Sequence, residues 1–305
     1  MLGYCLKRLG TAFLVALFVS VLSFVLLRMT GDVAIALAGE GAQEADIALI
    51  RKLNGLDRPL VVQYLDWLGR AITGDFGNSL YFKSPVMGLI VDKIGTTIIL
   101  SLASLAFALI VGIPLGVLSA VHQGSWVDRL SLGIAVVGQA MPNFFFALVL
   151  VMLFSVQLRW LPVSGSGTWA HFVLPTLALG YYITPPFMRI VRAGMVDALE
   201  MDFVRTARAK GLSKAKVVLK HALANALVPV VALAGVQLGL LLGGSVIIES
   251  IFALDGLGYL AYQSITHKDF PVTQAILLML SIAYVLLTLA ADLINAWIDP
   301  RIRIQ

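Results

Sequence analysis

The chain has very little of what a catalytic or disulfide-stabilised protein needs. It contains one cysteine, Cys5, so no internal disulfide can form, and its four histidines are scattered rather than grouped at metal-ligand spacing. The phosphate-binding pattern G-x-x-x-x-G-K-[ST] is absent, and so are G-x-S-x-G and H-E-x-x-H. The sequence therefore gives no support for nucleotide hydrolysis, metal binding or other enzymatic activity inside this chain.

Charge is also scarce, and apolar residues are abundant. Only 13% of the 305 residues are charged and 59% are hydrophobic, whereas soluble domains carry roughly 25% charged residues. The charges lie in short polar stretches between long apolar runs, which suits a bilayer better than a single soluble core. The net charge of +5 then reflects basic loops on the cytoplasmic side rather than a nucleic-acid surface.

Six apolar runs are long enough to cross the membrane, which requires about 20 residues each. They cover residues 9–28, 97–121, 132–156, 171–190, 226–248 and 272–292. The sequence thus predicts an all-α polytopic membrane protein with six transmembrane helices. The first run is bounded by Arg8 and Arg28 and is predicted to be a retained span, with a cleaved signal peptide as the alternative. Pro175, Gly180 and Pro185 predict that the fourth span is broken.

The distribution of Lys and Arg predicts the orientation. If the N-terminus is cytoplasmic, the inner segments hold 13 Lys and Arg residues and the two short outer loops hold 2. We therefore expect a multi-pass protein of the bacterial inner (cytoplasmic) membrane with both termini in the cytoplasm. Its two parts are residues 1–96, the first span with a long outer loop, and residues 97–305, a five-helix core with a cytoplasmic loop at 192–225.

The long outer loop has its own helical signals. Residues 45–53 read as a short helix, and Pro59 is expected to begin a second one with Leu60, Tyr64, Trp67 and Leu68 on one stripe. This stripe is predicted to lie on the membrane surface or to pack on the spans. Docking of an external partner is the alternative.

The most informative segment is cytoplasmic. Residues 197–210 favour a helix that has acids in its early turns and bases in its last turn, Gly211 is placed to take a left-handed conformation, and Ser213 can cap a second helix. The predicted result is a helix–Gly–helix elbow whose exposed end carries Ala207, Ala209 and Leu212 with basic flanks. It suits close approach of a partner, and a basic loop held by anionic lipid is the alternative.

This segment carries a family resemblance. The stretches Phe203–Ser213 and His221–Pro229 resemble the EAA loop of binding-protein-dependent ABC importer permeases, in the dipeptide/oligopeptide/nickel branch. Similar pieces follow the family's order along the chain: residues 56–68, 74–79, 112–117, 249–258 and 299–303. The outer-loop pieces are similar to the first permease of the pair.

The resemblance implies the fold, the partners and the function. We expect a type I ABC importer permease that moves peptides or similar small solutes from an external binding protein to the cytoplasm. It would pair with a second homologous permease and with two ATP-binding subunits, which would hold ATP and Mg, while this chain holds no cofactor. The elbow would be the coupling helix that contacts the ATPase, with the residues Ala207, Lys210, Gly211, Leu212 and Ser213.

Two further sets of residues concern the spans. Small residues at four-residue spacing allow helices to approach closely or to slide at a mobile interface, and they are Gly112, Gly116, Gly235, Gly239 and Gly243. Polar residues at membrane depth line a solute path or form interhelical hydrogen bonds, and they are Gln139, Asn143, Gln237 and Ser245. A self-sufficient secondary transporter or channel is the alternative function, although no acid or histidine is predicted at mid-membrane.

Overall fold

The computed structural model describes residues 2–39 and 41–298, and it is helical throughout those ranges apart from turns and one isolated bridge between Asn78 and Pro85. The helices, in chain order, are α1 (Leu2–Thr30), α2 (Val33–Ala38), α3 (Glu44–Leu53), α4 (Leu60–Ile72), α5 (Val86–Val121), α6 (Trp126–Ala140), α7 (Asn143–Leu150), α8 (Ala170–Glu200), α9 (Asp202–Ala209), α10 (Lys214–Lys216), α11 (Leu223–Ala226), α12 (Val228–Gly244), α13 (Val246–Ile251), α14 (Leu257–Thr266) and α15 (Phe270–Ile298). Two π-helical segments follow α7 and α10, at Val151–Gln157 and Val217–Ala222. The sequence piece 299–303 lies outside the described residues.

Three helices in the described part of the chain are long and apolar enough to cross a membrane: Leu9–Met29 within α1, Val86–Val121, and Phe270–Ile294 within α15. A fourth span is possible if the bent pair Lys214–Ala226 and Val228–Gly243 is one crossing, with a bend of 52°. The all-helical fold is confirmed. The other predicted runs form helices that are shorter, more polar or interrupted.

The third and fourth runs differ from the expectation. The third is not one helix, because α6 ends before Met141 and Pro142, and α7 begins at Asn143 and continues as a π-helix. The fourth is continuous, so the predicted break was wrong: Pro175, Pro185 and Pro186 all lie within α8. Both Pro185 and the neighbouring Phe187 are buried, so packing along this helix offsets the hydrogen bonds that proline removes.

The core is built on α5 packed along α8. A methyl group added at Gly116 would lie 2.7 Å from the Met188 carbonyl oxygen, and one at Gly180 would lie 2.5 Å from the Phe107 ring. Such distances are shorter than van der Waals contact, so glycine is required where these two backbones meet. A second pair, α12 with α15, packs beside the first, and α1 packs on α15.

The outer loop matches its prediction in part. Helices α3 and α4 begin and end close to the expected residues, and Tyr64, Trp67 and Leu68 pack against Phe24 of α1 and Leu278 of α15. Leu60 departs from the predicted stripe because it is 56% exposed. Residues 96 and 97, between which the sequence analysis divides the chain, both lie within α5.

Candidate coupling site and solute path

The elbow around Gly211 is a helix C-terminus closed by backbone hydrogen bonds. The Leu212 N–H donates to the Ala207 carbonyl at 3.3 Å, and the Gly211 N–H donates to the Arg208 carbonyl at 2.9 Å. This pattern is the Schellman motif, which places the residue after the cap in the left-handed region, and Gly211 has φ +77°. The left-handed conformation predicted for Gly211 is confirmed.

A small apolar core stiffens the elbow from inside. Val204, Ala207 and Val217 are buried against one another, and Leu212 packs on them from the turn. The sequence suggested that Ala207 lies on the exposed end, and this is wrong. The Schellman motif turns the helix face that carries Ala207 toward the second arm of the elbow. Ala207 supports the tip rather than forming its surface.

The two ends of the elbow also depart slightly from expectation. The helix predicted from residue 197 divides at Met201, because Asp197 to Glu200 belong to α8 and α9 begins at Asp202. On the other side, the Ser213 hydroxyl accepts a hydrogen bond from the Lys216 N–H at 3.4 Å and caps α10. The predicted Ser213 cap is confirmed.

The exposed face of the elbow is basic and small at its tip. Lys210, Gly211 and Ser213 are exposed, and a methyl group added at Gly211 would have nothing within 4 Å. Further cations flank the tip and are exposed as well: Arg205, Arg208, Lys214, Lys216 and Lys220. The tip can therefore accept a partner surface at backbone distance without first moving any side chain of its own.

A buried ion pair joins the base of the elbow to the rest of the bundle. Arg192 of α8 donates to both carboxylate oxygens of Asp128, at 2.9 and 2.8 Å, and its Nε also donates to the Ser119 hydroxyl at 3.0 Å. Ser119 donates to Asp128 as well, and the Gly124 N–H donates to it at 2.9 Å. The Arg192 guanidinium and these donors hold the pKa of the Asp128 carboxyl well below its ordinary value.

This cluster, which we name the inner clamp (Ser119, Asp128 and Arg192), connects three elements. Ser119 lies in α5, Asp128 in the first turn of α6, and Arg192 in α8. Two residues further along α8, a methyl group on Gly194 would lie 3.1 Å from the Ala226 Cα, so α8 also touches the end of α11. The prediction from sequence missed the inner clamp, although Ser125 and Asp128 form a visible capping pattern before an apolar run.

The four polar residues proposed for a solute path do not share one environment. Gln139 is exposed and accepts a hydrogen bond from Arg189 at 2.8 Å, and Asn143 and Gln237 are half-buried. Ser245 is fully buried and donates to Glu249 at 2.8 Å, so in this conformation it does not face an open path. Of the two roles considered for Ser245, hydrogen bonding inside the bundle agrees with its position, and lining a solute path does not.

The five glycines predicted at helix contacts also differ in how closely they are packed. A methyl group at Gly112 would lie 3.1 Å from the Phe187 Cβ, at Gly235 2.2 Å from the Ala291 Cβ, and at Gly239 2.6 Å from the Tyr284 ring. Gly116 is equally close to α8, as described above. Gly243 has nothing within 4 Å and borders an apolar cavity of about 530 Å³ between α1, α12, α14 and α15. Four of the five therefore pack helices tightly within this chain.

A buried carboxylate at the other end of the bundle was not predicted as a site residue. Glu249 is 0% exposed and accepts hydrogen bonds from Ser245 and Thr97 at 2.8 Å each and from the Tyr259 N–H at 3.0 Å. We name this group the outer latch (Thr97, Ser245, Glu249 and Tyr259). Its donors come from α5, the α12–α13 junction and the start of α14, so it joins three elements, with no cation from the part of the chain that the structure describes.

Comparison with known proteins gives a consistent result. The family model described as binding-protein-dependent transport system inner membrane component matches residues 112–304, and its N-terminal companion model matches residues 1–103. The chain is 42% identical over 304 residues to the glutathione transport system permease protein GsiC of Escherichia coli strain K12, with 99% of each chain covered. The same protein of Shigella dysenteriae serotype 1 matches equally well.

Solved structures share the fold. The MetNI methionine ABC transporter in an inward-facing conformation matches with a TM-score of 0.58 and 23% identity, covering 70% of this chain and 97% of that one. An amino acid ABC transporter solved with histidines matches with a TM-score of 0.51 and 16% identity, covering 70% and 94%. These similarities concern the helical fold alone.

Proposed function

The chain belongs to the family of binding-protein-dependent transport system inner membrane components, and we propose that its elbow at residues 192–225 couples a separate ATPase to the movement of a peptide-like solute. It is a multi-pass permease subunit of a bacterial ABC importer and is not itself an ATPase. Membership of a binding-protein-dependent system implies ATPase subunits, a binding protein and a partner permease. A secondary transporter that acts alone does not fit this family.

The relatives support a proposal for the solute class. Identity of 42% across 99% of both chains supports a solute like that of the glutathione permease, so we propose small peptides, with glutathione as the first to test. The candidate path residues Gln139, Asn143 and Gln237 are polar and uncharged. Such a path would pass a solute without holding it tightly, which suits a permease that receives it from a binding protein.

For the topology, we propose six crossings with both termini in the cytoplasm. The three additional spans are then α6 together with α7, α8 by itself, and α12 by itself. The contacts between loops support this arrangement, because they fall into two separate groups. Tyr81 stacks on His267 at 3.8 Å, and the Gly165 N–H donates to the Phe252 carbonyl at 2.9 Å, and all four residues are expected outside. The inner clamp and the Gly194–Ala226 contact join only segments expected inside.

The coupling step uses the stiffness of the elbow. In this proposal, the tip residues Lys210, Gly211, Leu212 and Ser213 contact an ATPase subunit, and Ala207 supports them from within. When ATP binding brings two ATPase subunits together, the elbow moves with its partner. The inner clamp then transfers that movement from α8 to the ends of α5 and α6, and α11 transfers it to α12, so that access to the path alternates.

The observation that carries this proposal is the open, left-handed Gly211 at the tip of a braced elbow. We expect Gly211→Trp, in the complete importer reconstituted with its partner subunits, to abolish ATP-dependent glutathione or dipeptide uptake while ATP hydrolysis persists. Gly211→Ala is the matched control, because it imposes the same backbone penalty of about 1 kcal/mol without bulk at the tip. If the Trp variant takes up solute as the Ala variant does, the elbow is not the contact with the ATPase.

A further inference from the structure

Helix α4 of the outer loop has three flanks with different chemistry, and only one of them is covered by protein. Its packed flank holds Tyr64, Trp67 and Ala71, which lie against Phe24 and Leu278. At about 100° per residue, the polar residues Gln63, Asp66 and Arg70 form a second flank on one side of the packed one. The residues Val61, Leu65 and Ile72 form a third flank on its other side.

The third flank is apolar and uncovered. Val61 is 69% exposed, Leu65 58% and Ile72 77%. A single exposed apolar side chain is ordinary, but three on one flank of one helix form a continuous strip that water disfavours. This strip, which we name the lower flank (Val61, Leu65 and Ile72), requires an occupant.

Contacts with α1 fix which way the flanks point. The Arg28 Nε, near the outer end of α1, donates to Gln63 of the polar flank at 3.2 Å. One turn deeper, the Phe24 ring meets Tyr64 with ring centroids 5.3 Å apart. A further turn deeper, the Ser20 hydroxyl is 2.7 Å from the Tyr64 hydroxyl. The polar flank therefore faces the end of α1, and the lower flank, opposite to it, faces the middle of the span.

The depth of α4 follows from the helical rise of about 1.5 Å per residue. The apolar part of α1 ends at Met29, and Phe24 lies five residues inside it, which is about 7.5 Å. Interfacial amphipathic helices lie about 5–10 Å into the boundary between headgroups and acyl chains. Leu22 and Leu26, on the side of α1 away from α4, are exposed apolar residues at the same depth, as expected where α1 crosses the acyl-chain region.

We propose that α4 is an interfacial helix embedded in the leaflet at the Arg28 end of α1, with the lower flank in contact with lipid acyl chains. The polar flank lies at headgroup level, where Asp66 pairs with Arg58 at 3.2 Å and Arg28 reaches Gln63. The inference goes beyond the transport function and rests only on the chain being a membrane component. It gives the outer loop a lipid anchor that holds it against α1 and α15.

The test measures depth at two exposed sites on α4. In a Cys5→Ser background, which removes the single native cysteine, nitroxide labels are attached to Leu65→Cys on the lower flank and to Arg70→Cys on the polar flank. The full importer is placed in phospholipid nanodiscs, and collision of each label with oxygen and with the water-soluble chelate nickel ethylenediaminediacetate is measured by power saturation. The oxygen-to-nickel ratio at residue 65 is expected to be several-fold higher than at residue 70.

Two results would overturn the proposal. Equal ratios at the two sites would mean that α4 lies in water and that the lower flank is open to a soluble partner. A label at residue 65 that is immobilised and inaccessible to both reagents would mean that another protein covers the flank. ATP-dependent uptake by the same preparations is a separate readout, so failure of transport and failure of the lipid contact are distinguishable.

Discussion

The inner clamp and the outer latch both bury a carboxylate where three helical elements meet, yet they satisfy it in different ways. Asp128 of the inner clamp is paired with the Arg192 guanidinium, whereas among the described residues Glu249 of the outer latch accepts only from hydroxyls and a backbone N–H. A buried ion pair is strongly directional, and losing one partner strands a charge. In the proposed orientation, the cytoplasmic end is thus held by charge and the outer end by neutral donors and a helix N-terminus.

This difference matches the parts that the two ends play in the proposal. The inner clamp lies directly beside the elbow that we expect to transmit movement, so a firm connection from α8 to α5 and α6 is needed there. The outer latch holds the short helix α14 beside α5, and the N-terminal end of α14 supplies favourable partial charge to Glu249. The comparison can be tested by removing each feature in turn.

The largest effect is expected from Arg192→Met. This change leaves Asp128, which is 4% exposed, without its cation. Breaking a buried pair costs about 3–5 kcal/mol, and because the Arg192 side chain is 24% exposed we expect about 2–4 kcal/mol here. The thermal unfolding midpoint of the purified permease should fall, and uptake should fall with it. The double variant Asp128→Leu/Arg192→Met should recover much of the lost stability, and if it does not, the charge is not what holds this end.

The next effect concerns the packing of α12 at its middle and near its C-terminal end. Gly235→Ala would place a methyl group 2.2 Å from Ala291, and overpacking of this kind costs about 1–3 kcal/mol. Gly243→Ala is the matched control nearer the outer end, where a methyl group meets nothing within 4 Å. Thermal unfolding should show a loss for the first variant and none for the second. Equal losses would contradict the tight packing at the middle of this helix and the open space near its C-terminal end.

A smaller effect is expected from Glu249→Gln. The amide oxygen still accepts from Ser245 and Thr97, but the amide nitrogen now faces the Tyr259 N–H, which loses its acceptor at a cost of about 1–2 kcal/mol. Compared with Arg192→Met, the decrease in the unfolding midpoint should be clearly smaller. A larger loss for Glu249→Gln would reverse the comparison between the two ends.

The smallest effect is a dependence on pH that belongs to the inner clamp. Because the folded-state pKa of Asp128 is lowered, its contribution to stability is complete above the ordinary Asp pKa of about 3.9 and is lost as the pH falls below it. The difference in free energy of unfolding between the native permease and Asp128→Asn should stay constant from pH 8 to pH 5, within about 0.5 kcal/mol. It should narrow below about pH 4, and a difference that grows with acidity would refute the pairing.

The sequence predicted features that depend on local signals. Gly211 ends one helix and Ser213 begins the next, and both effects depend on a few neighbouring residues. The length of the first and last apolar runs is by itself enough to identify α1 and α15. The basic tip of the elbow was likewise visible in the order of the residues. The packing inside the elbow was not visible in that order. Ala207 was therefore expected on the surface, although the elbow buries it.

Features that depend on contacts between distant segments were missed. Nothing near Pro185 in the sequence indicates that α5 supports α8 closely enough to keep it continuous. Similarly, Glu249 lies 152 residues from Thr97 along the chain, so neither residue predicts the other. The family resemblance supplied the order of the segments, but only the folded arrangement identified which acids are buried and what satisfies them.

The central claim, that the elbow contacts an ATPase on the inner side, is tested most directly by a photo-crosslinking residue at position 210. In the assembled importer, this exposed tip should form an adduct with the ATPase subunit, whereas the same residue at the exposed position 52 of the outer helix α3 should form none. Failure of position 210 to form that adduct, or its labelling by a membrane-impermeant reagent added outside intact cells, would contradict the account.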